Sequence, residues 1–300
     1  MGSSTRLPGI VVAVAFAGAA LIAAAPAAQA VADSPGAVTV ACSTDALVSA
    51  INTANSGSGG TLLVPHGCVY NITTPATSTD GLPVITEPIA LVSGGGTVIG
   101  RSAAASTAFR VLEVASGGTL SLTGITIRNG RTTAVGGGIL NAGTLHLTGV
   151  VFSGNRAGNG GGLSNSAGAT ADIYNALFQG NTTTGVGGGG IINFGTLTVN
   201  GGVFSGNTAP INGGGLNTQP SGISSIVQSR FVHNTSGGLG GAMSNLGTLS
   251  LNGTVVEMNT GSSGGGIATG NTNVTLQNSY VSNNTPDNCN PLNTIPGCDN

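Results

Sequence analysis

Thr144-Leu-His-Leu-Thr-Gly-Val-Val-Phe-Ser-Gly-Asn155 decides the fold, because this phrase returns along the chain at almost constant spacing. Its counterparts begin at Thr119, Thr170, Thr196, Ile223, Thr248 and Asn273, so seven copies follow one another at steps of 25 to 27 residues. A glycine-rich phrase separates them: Gly136-Gly-Gly-Ile139, Gly160-Gly-Gly-Leu163, Gly188-Gly-Gly-Ile191, Gly213-Gly-Gly-Leu216, Gly240-Gly-Ala-Met243 and Gly264-Gly-Gly-Ile267. In the cleanest copy three short stretches read as strands: Ile139-Leu140, Leu145 to Leu147 and Val150 to Phe152. None is long enough for a helix, and glycine forms helices poorly. Side chains alternate along a strand, so Leu145 and Leu147 share one face, as do Val150 and Phe152.

Three strands and three turns per copy describe one coil of a solenoid, whose coils stack about 4.8 Å apart in parallel sheets. The expected fold is all-β, a right-handed parallel β-helix with one coil per 25 to 27 residues. Reading down the copies gives columns. Ile127, Phe152, Phe178, Phe204, Phe231, Val256 and Val281 form an apolar column expected in the interior. Asn155, Asn181, Asn207, Asn234, Asn259 and Asn284 form a second. Asparagine tolerates left-handed turns, and its amide can bond the asparagine of the next coil. Asn141, Asn165, Asn193 and Asn245 make a shorter series. Both series read as devices that hold turns in register rather than as sugar contacts.

The ends differ from the middle. Arg6, the apolar run Ile10 to Ala25, and Ala28-Gln29-Ala30 have the form of a secretory signal cleaved after Ala30. The run is short for a membrane span and stops at Pro26. All four cysteines lie near the ends of the exported part, and export favours oxidation. Opposite tips of a solenoid cannot exchange partners, so Cys42 pairs with Cys68 and Cys289 with Cys298. The expected division is a signal peptide at 1–30, an N-terminal cap at 31–60, the β-helix at 61–285 and a disulfide-closed cap at 286–300. Within the first cap, Ser43 is placed to N-cap a helix through about Asn55, with Leu47, Val48, Ala50, Ile51 and Ala54 on its apolar face.

Composition narrows the partners. The chain has 54 glycines but no Gly-X-Y triplet, and apolar residues recur regularly between them, which favours many tight turns over collagen or disorder. There is no lysine; past residue 30 there are six arginines and nine carboxylates, a formal charge of 6 − 9 = −3. That balance excludes nucleic acid as a partner. No second apolar stretch suggests a membrane span, a monomer is expected, and no cofactor or metal is implied, the cysteines having no CxxC spacing.

The recurring GG[GA][ILM] and Phe-x-x-Asn motifs resemble the repeats of the chlamydial polymorphic outer-membrane proteins, within the wider pectate-lyase-like class of β-helices. The alanine-rich leader, the missing lysine and the ending Pro286-Asp-Asn-Cys289 are similar to secreted β-helix proteins of actinobacteria. The resemblance covers roughly residues 90 to 285 and implies architecture; the chlamydial relatives also imply adhesion. Their C-terminal membrane barrel has no counterpart before Asn300, so barrel attachment is not expected to carry over.

Catalytic chemistry is sparse. Between residues 100 and 285 the acids are Glu113, Asp172 and Glu257, and no two share a column. A glycosidase needs two placed carboxylates and a hard cation needs several oxygens. Two groupings stand out. His146 and Asp172 share a column on adjacent coils, where a carboxylate can orient or charge a histidine. Arg131 and Arg156 share another, with Arg128 close by, and guanidinium groups can hold an acidic sugar. Both also read plainly as solvated surface. Below the arginines the column continues Thr182, Thr208, Thr235, Thr260, Thr285. Two positions on it reads Thr184, Pro210, Gly237, Ser262, which lacks the second threonine rank of an ice-binding surface. Arg230 and Glu257 are expected to form a salt bridge.

The expectation is therefore a secreted, non-catalytic protein with an adhesive, display or structural role, its partner an extracellular polysaccharide or cell-surface glycan. The rival is a polysaccharide lyase or glycoside hydrolase acting on an acidic polysaccharide, with its site at the edge of Arg128, Arg131 and Arg156.

Overall fold

Each coil is built by alternation interrupted at fixed corners. In a computed structural model that describes residues 36–291 and 295–298, the copy quoted above contains strands Ile139–Asn141, Thr144–Thr148, Val151–Ser153 and Arg156–Ala157. Leu145, Leu147, Val150 and Phe152 are fully buried, while His146 between the leucines is exposed. The chain turns at Gly149 and Gly154, both with left-handed φ near +60°. An L side chain is disfavoured there, which is why glycine or asparagine dominates the first corner, at Gly124, Gly149, Asn175, Gly201, Gly253 and Asn278. The expected signal peptide lies outside the described residues.

The coils stack into an all-β parallel solenoid of about ten turns, and every strand pairing is parallel. Thr119, Thr144, Thr170, Thr196, Ile223 and Thr248 are successive register partners. The number of strands per coil differs from the expectation. The fourth, two-residue strand at Arg156–Ala157 recurs at Thr182–Thr183, Thr208–Ala209 and Thr235–Ser236, forming its own sheet. The two longer faces merge into one sheet, because Pro88–Arg101 and Thr119–Arg128 run round that corner unbroken.

The interior is a stack of identical rows. Phe152, Phe178, Phe204 and Phe231 are fully buried and stack face to face, with centroids 4.6, 4.8 and 4.2 Å apart. One asparagine of each coil donates its Nδ2 to the Oδ1 of the next, from Asn155 through Asn284, at 2.9–3.0 Å. The second series runs from Asn141 through Asn165 to Asn193 in the same way. The ladder asparagines do not take the left-handed turn themselves. That conformation falls one residue earlier, at Gly154, Gly180, Gly206, His233, Met258 and Asn283. The preceding residue makes the bend, which leaves the ladder carboxamide free to point inward.

The glycine phrases are required by close approach: a Cβ on Gly161 would sit 2.5 Å from the Gly189 carbonyl oxygen. At the N-terminal tip the helix α1 (Thr44–Ser56) starts where Ser43 Oγ accepts from the Ala46 N–H. It buries Leu47, Ile51 and Ala54 on the end of the core. Cys42 is bonded to Cys68 there, and Cys289 to Cys298 at the far end, where Ile295 is buried as well.

Candidate ligand-binding edge

The fourth strand positions the most regular exposed feature of the molecule. Its first residue points outward in every coil, so the parallel register lines up Arg131, Arg156, Thr182, Thr208, Thr235, Thr260 and Thr285 as successive partners. Thr182 is half-buried and the other six are exposed. At about 4.8 Å per coil this column spans about 29 Å along the axis. Among the described residues none of its five hydroxyls and neither guanidinium has a protein hydrogen-bond or ionic partner. In contrast, the inward Thr183 beside it donates to the Gly158 carbonyl.

Arg128 ends the strand Thr119–Arg128 on the adjoining face, three residues before Arg131, and its stem lies over Gly100. It too is unpaired among the described residues. The other arginines are committed. Arg101 donates to the carbonyls of Thr107 and Ala105 and sits over the Phe109 ring. Arg110 meets Asp80, and Arg230 donates to Glu257 through Nε and Nη2 at 3.1 and 2.5 Å. Among the described residues the arginines without a partner thus gather within two coils, on a chain whose formal charge is negative.

His146 and Asp172 are register partners, with Nδ1 3.3 Å from Oδ2 and side-chain exposures of 47% and 31%. Ser121 precedes His146 in the same column, so serine, histidine and carboxylate stand on three successive coils in the order of a hydrolytic triad. Subtracting one repeat from His146 finds Ser121, which inspection of the histidine alone overlooks. The Ser121 hydroxyl makes no hydrogen bond to the ring among the described residues, and this strand's backbone lies in the sheet ladder between two neighbours. An exposed pair of this kind contributes at most about 1 kcal/mol.

One charged cluster lies outside the repeated columns, around Asp80 and Arg110. Asp80 is 2% exposed, pairs in register with Arg110, and its Oδ1 lies 2.6 Å from Arg110 Nε. The N–H does not point along that line, so this is an ion pair without a formed hydrogen bond. Thr77 and Thr79 hydroxyls both donate to Asp80 Oδ2 at 2.8 Å, and Arg110 Nη1 donates to the Val135 carbonyl. Glu113 lies 3.8 Å from Arg110 Nε. Burial pushes its carboxyl above the ordinary value, Asp80 adds to that, and Arg110 opposes it. Two carboxylates meet here, but Asp80 is too enclosed to reach a sugar, and the cluster ties the Thr77–Asp80 turn to the next coil.

Two concavities of about 620 and 430 Å³ flank α1 at the N-terminal tip, and neither is lined by an arginine or a histidine. Among the described residues no three His, Cys, Asp or Glu side chains group as a metal site, and no helix is long and apolar enough to cross a membrane. A scan against protein-family models gives no match, and a search of curated proteins gives none.

Proposed function

We propose that this protein is a secreted, non-catalytic binding protein that holds an extended polysaccharide or cell-surface glycan along the column from Arg131 to Thr285. The observation that carries this reading is the unspent hydrogen-bonding capacity of that column, repeated once per coil on a scaffold whose core rows fix the spacing. Sugars present hydroxyls at regular intervals, and an array of exposed hydroxyls and guanidinium groups meets them without a cleft. Two disulfides are compatible with an oxidising, extracellular setting, as the leader at residues 1–30 predicts. The GG[GA][ILM] and Phe-x-x-Asn motifs resemble those of the chlamydial polymorphic outer-membrane proteins, and that resemblance implies an adhesive or display role.

The test is a carbohydrate array probed with the purified exported chain, with every hit assayed for new reducing ends and unsaturated product. Binding without product supports the reading. Product release by the wild type, lost in Arg131→Ala or Arg156→Ala, replaces it with a lyase or hydrolase acting at the arginine edge. An array without hits ends it.

A further inference from the structure

The glycan column is not uniform along its length. Its first two rungs are Arg131 and Arg156, and every later rung is a threonine. Arg128 stands round the corner from the first, so three guanidinium groups occupy one end. Each lacks a carboxylate partner among the described residues, whereas Arg110 and Arg230 have one. Arg131 and Arg156 are register partners on adjacent coils, where like charges repel, and no ion pair offsets either among the described residues.

We infer that the bound glycan is anionic and lies lengthwise in one direction, its carboxylate or sulfate groups at the arginine end and its uncharged hydroxyls along the threonines. The inference rests on the reading of the column as a glycan track. Charge complementarity selects the ligand class. A guanidinium presents a planar fork of donors that fits two oxygens of one carboxylate or sulfate. Arg131 and Arg156 sit on adjacent coils, so both can reach one anion or neighbouring anions on the same chain. A threonine hydroxyl has one hydrogen to donate and two lone pairs to accept with, and suits neutral sugar hydroxyls. The column is therefore polar along the axis, and a chain with an acidic and a neutral stretch fits in one orientation.

Three probes separate the possibilities: oligogalacturonate for carboxylate, dextran sulfate for sulfate, and unmodified dextran as the neutral control. They are titrated against the wild type, Arg131→Gln/Arg156→Gln and Thr208→Val/Thr235→Val. All four positions are exposed, and circular dichroism checks that each variant keeps its strand content. The wild type is expected to bind at least one anionic probe about tenfold or more tightly than dextran, and added salt should erode that preference. The arginine variant should lose the preference and the threonine variant should weaken all binding. If the arginine variant keeps the preference, or the wild type never shows one, the inference is overturned while the glycan track stands on the threonine result. If the threonine variant binds like the wild type, the track is overturned even where the arginines matter. If no probe binds, both fall.

Discussion

A buried carboxamide has two donor hydrogens and an acceptor oxygen, and the ladder asparagines use them in a repeating way. Asn207 Nδ2 donates to Asn234 Oδ1 and to the Phe178 carbonyl, while its Oδ1 accepts from the Asn181 backbone and side chain. Asn207→Ala removes all four bonds; the buried Asn181 N–H and one hydrogen of its Nδ2 lose their acceptor, whereas Asn234 Oδ1 keeps the Asn207 backbone N–H. At about 1–3 kcal/mol for each orphaned group, the loss should be roughly 3 kcal/mol or more, read as a lower urea midpoint. An unchanged midpoint would mean the ladder is decorative. The asparagine columns were legible because their period matches the repeat. The Asp80 to Arg110 pair was not, since the Thr77–Asp80 turn falls before the recognisable copies and carries none of their motif. Glu113 gives that cluster a pH signature. Its carboxyl is raised in the fold by burial and by Asp80, so folding favours the neutral form. Its contribution is fully present below the ordinary value of 4.5 and is lost as pH rises through the raised one. Glu113→Gln should therefore melt higher than the wild type at pH 7 and alike at pH 4. A variant that melts lower at pH 7 would show that the pairing with Arg110 outweighs burial.

At the scale of single elements, the turns carry the remaining strain. The corner before the ladder asparagine is glycine in three coils, but His233 and Met258 hold the same left-handed conformation at φ 55°. A side chain there costs about 1–2 kcal/mol, so Met258→Gly should stabilise by up to about 1 kcal/mol once the entropy of a glycine is counted. Thermal melting with a higher midpoint supports this; a fall would mean the Met258 side chain contributes packing that its 42% exposure hides. The same corner shows where reading by motif stops. The asparagine was visible in the sequence, yet which of two neighbours takes the bend depends on where the inward side chain must point. The helix α1 was legible in start and face, because Ser43 and the apolar residues at Leu47, Ile51 and Ala54 follow local rules. The two-residue strand at Arg156–Ala157 has too little length for an alternating pattern and emerges only from stacking against Thr182–Thr183.

At the scale of the whole molecule, a solenoid turns a local rule into a long one. Each coil touches its neighbours, so one outward position becomes a row, and the row inherits the rigidity of the phenylalanine and asparagine stacks beneath it. This is also why the candidate edge was partly legible: the constant step of the repeat alone puts Arg131, Arg156 and the five threonines in one column. Which arginines lack partners was beyond that step, because Arg101 and Arg110 are satisfied by turns with no repeat to read. The central claim is that a ligand is held by many rungs at once. A length series of oligogalacturonates measured by calorimetry tests it most directly. The account predicts affinity that climbs with every added sugar until the chain spans the roughly 29 Å from Arg131 to Thr285, then levels off. Affinity that is already constant from the disaccharide onward would contradict it.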